Sequence, residues 1–162
     1  ALKRAFDALV QQHSSLRTLL IEREAAVWQE EIQPENPVLC IESPTSAERA
    51  IDRARATLTQ PFRLAEDIPI RAILVPIAPE PMTHAARNGP STAADAIQRW
   101  ILGFVLHHTA ADGWSFPILL RDLSRLYEAA CAGRDLAPAA PRLSYADFAA
   151  WQLRYQIGRA YV

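Results

Sequence analysis

Leu2, Phe6, Leu9, Val10, His13 and Leu16 recur at the spacing of one helical face, which predicts a helix over residues 2–17. Leu19–Ile21 and Val27–Ile32 then read as short strands. Pro34 and Pro37 break the pattern ahead of Val38–Ile41. Thr45-Ser46-Ala47-Glu48 has the layout of a capping box, in which a hydroxyl and a carboxylate satisfy orphan N–H groups. It opens a helix carrying Ile51, Ala54 and Leu58, which Pro61 stops. Ile70–Ile77 is apolar on both alternations, as expected of a strand covered on both faces.

Residues 78–95 hold Pro79, Pro81 and Asn88-Gly89-Pro90 and read as a long loop. Trp100–Leu106 is an unbroken apolar run of strand length that delivers His107 and His108 to its end. Ser115 is the expected N-cap of the next helix, with Pro117 in its first turn. Ile118, Leu119, Leu123, Leu126 and Tyr127 form its buried stripe, and Gly133 ends it. A linker over 137–141 leads to a last helix starting at Ser144-Tyr145-Ala146-Asp147, with Phe148, Trp151 and Tyr155 on one side. Helices and strands interleave, so the class is α/β or α+β with a mixed sheet.

With 162 residues the length favours one domain. Seventeen basic residues against 18 acidic ones give a net charge of −1 without a basic stripe, which argues against nucleic acid and anionic lipid. No apolar stretch approaches the ~18 residues of a membrane span. Cys40 and Cys131 stand far apart, outside any metal-binding spacing, so the expected setting is a reducing cytoplasm.

The candidate chemistry lies in Leu106-His107-His108-Thr109-Ala110-Ala111-Asp112-Gly113-Trp114-Ser115. Histidine exchanges protons near neutral pH, and a glycine lets backbone approach a reacting group or take up φ > 0. The end of a buried strand is where open α/β sheets place ligands. A loop histidine beside a turn aspartate is the plainer reading of the same spacing. Adjacent strand histidines point to opposite faces and do not readily share one ion; His13 and His84 stand alone, so no metal is expected. Ser115 lacks the GxSxG elbow of a serine hydrolase.

The pattern HHxxxDGWS resembles the core motif of non-ribosomal peptide synthetase condensation domains. Three further segments, in the family's order, are similar to its motifs: Gln12-His13-Ser14-Ser15-Leu16-Arg17-Thr18, Pro61–Leu64 followed by Pro69–Leu74, and Tyr145-Ala146-Asp147-Phe148-Ala149-Ala150-Trp151-Gln152. Epimerization domains instead carry DGxSW, and cyclization domains replace the histidines with aspartates. Stand-alone acyltransferases that make esters or amides share HHxxxDG, but are not expected to carry the YADFAAWQ segment.

The resemblance implies a chloramphenicol acetyltransferase-like lobe. It spans residues 1–162 as the N-terminal lobe, with the first strand and the C-terminal lobe absent. Such a lobe alone is expected to be inactive. The resemblance also implies amide formation between substrates carried as thioesters on phosphopantetheine arms, with no cofactor bound directly. The expected partners are upstream and downstream peptidyl carrier proteins, the C-terminal lobe and neighbouring synthetase domains.

His108 is then the catalytic residue and the Gly113 N–H a candidate oxyanion donor. His107 is structural. Asp112 is expected to be buried against an arginine, Arg17 or alternatively Arg71, since Gln12 replaces the family's arginine. Trp114, Phe148 and Trp151 are expected to pack. Arg63 stands where the family has an aspartate. The alternative functions are a non-catalytic module that docks carrier proteins, or a stand-alone HHxxxDG acyltransferase making esters or amides.

Overall fold

A computed structural model describes residues 1–78, 99–137 and 143–159, the last four without their side chains. Most of the loop over 78–95, with His84, and most of the linker over 137–141 lie outside the described residues. The described chain divides into two compact units.

The first unit comprises residues 1–38, 62–70 and 106–162. In it α1 (Leu2–Gln12) lies against α3 (Ser115–Cys131). Phe6, Leu9 and Val10 of α1 are buried, as are Leu119, Leu123 and Leu126 of α3. α1 ends five residues earlier than its periodicity predicts. His13 adopts extended backbone (φ −111°, ψ 97°), and a single 3₁₀ turn, Ser14–Arg17, buries Leu16 separately. The apolar period therefore runs across a break in the backbone.

β1 (Thr18–Arg23) and β2 (Ala26–Glu31) form an antiparallel hairpin. The Arg23–Ala26 pair closes a two-residue turn at Glu24 and Ala25, with φ of 53° and 61°. Positive φ at both positions is what a type I′ hairpin turn requires. The usual Asn-Gly signal is missing, so the sequence predicts two strands and no hairpin. Val27 and Trp28 are largely exposed on β2.

The second unit comprises residues 39–61 and 71–105. Its sheet runs β3 (Leu39–Ile41), β4 (Ile70–Ile77), β5 (Arg99–Leu106), with β3 and β4 parallel. Both pairing senses thus occur, divided between two sheets. α2 (Ala47–Leu58) buries Ala50 and Ala54 with Ile73, Val75 and Ile77 of β4. A Cβ at Gly103 of β5 would come within 2.6 Å of Leu58 Cδ1, so a glycine lets α2 close on the strand.

Ser46, rather than Thr45, caps α2. Its Oγ accepts the Arg49 N–H, while Thr45 bridges to Ile77. The far end of α2 is tied by Arg71, which donates to the Thr57 and Gln60 carbonyls at 3.2 and 2.9 Å.

α3 stops where expected. Gly133 takes φ +67°, its N–H reaches the Ala130 carbonyl and the Arg134 N–H reaches that of Ala129. This is the paired closure of a Schellman motif, which needs the left-handed conformation glycine adopts at least cost. α4 (Tyr145–Arg159) starts with a true capping box. The Asp147 N–H donates to Ser144 Oγ at 3.1 Å, and the Ser144 N–H donates to Asp147 Oδ2 at 2.9 Å. Its rings contact one another, Trp151 stacking on Tyr155 at 5.4 Å, but Phe148 and Trp151 remain about half exposed. The packing expected of those two is therefore not made within the described residues.

Candidate functional site

β5 ends at Leu106, and the ten-residue motif becomes the loop that starts α3. His107 is tied down on three sides. Its N–H donates to the Pro69 carbonyl at 2.9 Å, and its ring meets Phe62 edge-on at 5.8 Å. The Thr109 N–H donates to its Nδ1 at 3.2 Å, with the Thr109 hydroxyl 3.0 Å away. Nδ1 is therefore an acceptor, which leaves the proton of the neutral ring on Nε2. His108 sits in the following turn with an exposed side chain, and its ring has no partner among the described residues. The two neighbours thus differ in their surroundings: one ring is packed and bonded, the other has no partner among the described residues.

Asp112 corrects the expectation of a buried carboxylate paired with arginine. Its side chain is exposed, and its Oδ1 accepts the Ser115 N–H at 2.9 Å and the Ser115 hydroxyl at 2.7 Å. The Asp112 N–H in turn donates to Ser115 Oγ at 3.3 Å, and its carbonyl accepts from the N–H groups of Ser115 and Phe116. Asp112 is therefore the functional N-cap of α3 and Ser115 its third residue, a capping box with the residue types reversed. Those hydrogen bonds from Ser115 hold the Asp112 carboxyl below its ordinary value.

Arg17 is committed elsewhere. It pairs with Glu31 and reaches the Ile32 carbonyl at 3.5 Å, holding the end of β2 to the 3₁₀ turn. Arg63 is accounted for as well. It pairs with Glu66 at 2.6 Å and Asp67 at 3.2 Å, and its N–H donates to Asp67 Oδ2, closing the turn after Phe62.

With Asp112 as the cap, Gly113 is the first residue of the helical turn. Its N–H has no acceptor among the described residues, and its φ is not in the left-handed region. A Cβ placed on it would meet nothing within 4 Å. Nothing among the described residues requires glycine here. The free N–H also sits at the positive end of the seventeen-residue α3, where orphan donors and the helix dipole favour negative charge. Trp114, expected to pack, is instead 88% exposed.

Asp122 escaped the sequence reading because it interrupts an apolar stripe. It is buried and receives Gln12 and His13 from the end of α1. Ile118 and Tyr127, assigned to that stripe, are partly exposed. The signal for Asp122 was its spacing: Leu119, Asp122, Leu123 and Leu126 share one helical face. Among the described residues no group of three or more His, Cys, Asp or Glu could hold a metal ion. No described helix is long and apolar enough to cross a membrane.

The family model of the condensation domain matches residues 1–162. The chain belongs to the condensation-domain family. A probable non-canonical nonribosomal peptide synthetase, CymA, of Salinispora arenicola is 34% identical over 151 residues, covering 93% of this chain and 2% of that protein. A dimodular nonribosomal peptide synthase of Bacillus subtilis is 31% identical over 152 residues, covering 93% and 6%.

Among solved structures, the X-domain from teicoplanin biosynthesis matches with a TM-score of 0.75 and 25% identity, over 99% of this chain and 31% of that one. The starter condensation domain of rhizomide synthetase gives 0.68 at 18% identity, over 96% and 34%, which speaks to fold alone. The chain thus spans a few per cent of these synthetases and about a third of the structural neighbours. The α/β class read from the sequence is the class of this family.

Proposed function

We propose that this chain is the N-terminal lobe of a condensation domain that joins an aminoacyl or peptidyl thioester donor to an aminoacyl acceptor in nonribosomal peptide synthesis. Both substrates arrive on phosphopantetheine arms of upstream and downstream carrier proteins, in the cytoplasm. The observation that carries this reading is that the His108 ring and the Gly113 amide, at the two ends of one short loop, have no partner among the described residues.

The acceptor amine attacks the thioester carbonyl carbon, the C–N bond forms, and negative charge develops on the carbonyl oxygen. The Gly113 N–H is the donor to that oxygen, in a position where one such contact is worth about 3–4 kcal/mol. The C–S bond then breaks, the pantetheine thiol leaves, and the proton lost by the amine nitrogen ends on sulfur. An α-amine has a reference pKa of about 7.7–8.0, so much of it is already unprotonated near neutral pH. His108 therefore acts mainly by orienting the amine and passing its proton onward. Glycine at 113 keeps the oxyanion's path open, since no atom of the described residues fills the space a Cβ would take.

The lobe alone is expected to be inactive, because the C-terminal lobe and neighbouring synthetase domains complete the walls around the two substrates. His108→Ala in the synthetase that carries this chain tests the assignment. Product formation should fall by about 100-fold or more, the range of a lost general acid–base group. Undiminished product would instead favour a module that docks carrier proteins without catalysing.

A further inference from the structure

Asp122 is the one buried charged residue among the described residues, 6% exposed in the middle of α3. An unpaired carboxylate taken out of water is costly, so the groups that accompany it are part of what the fold specifies. Its Oδ2 accepts from Gln12 Nε2 at 2.8 Å and from His13 Nε2 at 3.0 Å. Its Oδ1 accepts from the Nε and one terminal nitrogen of Arg121, each at 3.3 Å. Gln12 is used at both ends, because its Oε1 also accepts from Arg125 at 2.8 Å. The positive charge of Arg125 thus reaches Asp122 through a neutral amide.

This network lies ten residues beyond Asp112, or about 15 Å along the helix at 1.5 Å per residue. The leucines of α3 bury area against α1 but tolerate small slides and rotations, because apolar contact is non-directional. Hydrogen bonds to one carboxylate from two consecutive residues have fixed directions. They set the axial position and rotation of α3, and hence where its first turn aims the Gly113 N–H.

We propose that Asp122 is a positioning residue for the Gly113 amide, held by Gln12 and His13, and that Gln12 and Arg125 are a matched pair completing that hold. The proposal rests on reading Gly113 as the oxyanion donor. The matching follows from donor and acceptor inventory. An arginine at position 12 could still donate to Asp122, but it offers Arg125 no acceptor and adds a guanidinium beside Arg121 and Arg125. Exchanging the two side chains restores an amide oxygen opposite a guanidinium.

The test uses the synthetase that carries this chain and two readouts: hydrogen exchange of the peptide covering residues 110–118, and kcat and KM for carrier-bound substrates. Asp122→Asn and Gln12→Arg should each speed exchange about tenfold and lower kcat about tenfold, with KM within about twofold, as loss of a hydrogen bond to a charged group implies. The swap Gln12→Arg with Arg125→Gln should return both to within about threefold of the parent. Leu126→Ala, a cavity in the same helix, should lower the melting temperature and leave kcat at a permissive temperature within about twofold.

Unchanged exchange in Asp122→Asn overturns the proposal, as does faster exchange without a change in kcat. So does a swap no better than Gln12→Arg alone, and this arm decides the matter even if Asp122→Asn does not fold. His108→Ala run in parallel separates the two readings. Normal product there sinks the condensation reading, while the exchange data still report whether Asp122 holds the turn.

Discussion

His107 and His108 share a chemistry and differ only in what surrounds them. Thr109, Phe62 and the Pro69 carbonyl hold the first, and the ring of the second has no partner among the described residues. The motif read as a string assigns them different roles, through the family resemblance and the alternation of a strand. It did not reveal Thr109 or Phe62 as the groups that fix His107, since those contacts depend on how the chain turns after Leu106.

Gly113 offers the sharpest test at this scale. Because a Cβ there meets no atom of the described residues within 4 Å and φ is ordinary, Gly113→Ala should leave stability unchanged or raise it by up to about 1 kcal/mol. The same methyl should cut the rate of amide formation by about tenfold or more, as a displaced reactant does. Thermal melts paired with rates check this, and a variant that keeps full activity would remove the close approach from the account.

Single elements show which signals in a sequence survive folding. The α4 start was legible because Ser144 and Asp147 stand in the usual order of a capping box. The α3 cap lies three residues before the Ser115 that the sequence predicts, because the same device appears there reversed, with Asp112 capping and Ser115 reaching back. The family resemblance implies a buried arginine partner for Asp112, and among the described residues its carboxylate bonds to Ser115 instead.

The capping bond also predicts acid sensitivity. The folded Asp112 carboxyl is held below its ordinary value by Ser115. Its stabilisation is therefore present above the unfolded pKa of about 3.9 and is lost as pH falls through the lower folded value. Exchange over residues 112–118, compared at matched pH, should accelerate below about pH 4 in the parent and much less in Asp112→Asn, which caps without a charge. Equal acid responses in the two would mean that the cap does not titrate.

The β1–β2 hairpin provides an independent check. Ala25 sits at φ 61°, where a Cβ costs roughly 1–2 kcal/mol, partly offset in glycine by the entropy of the unfolded chain. Ala25→Gly should raise stability by about 0.5–1 kcal/mol. A lower melting temperature would show that the turn is not of this type. No sequence signal marked the hairpin, because Glu24-Ala25 lacks the residues that adopt positive φ readily.

At the scale of the molecule, the family and its class were readable from four motifs in order. The partners of individual side chains were not. Arg17, Asp112 and Asp122 each bond to a residue whose nearness comes from folding: Glu31 across a turn and hairpin, Ser115 within a reversed cap, Gln12 and His13 from another helix. Sequence patterns report burial and periodicity well, whereas hydrogen-bond partners depend on backbone direction at single residues. The apolar period of α1, continuous through His13 although the helix is not, shows the same limit.

We propose His108 as the working histidine of a condensation reaction whose oxyanion donor is the Gly113 N–H. Single-turnover amide formation between two carrier-bound substrates, measured in the synthetase that carries this chain with and without His108→Ala, tests it most directly. The rate should be lower by about 100-fold or more in His108→Ala, with both carriers still bound. An unchanged single-turnover rate would contradict it.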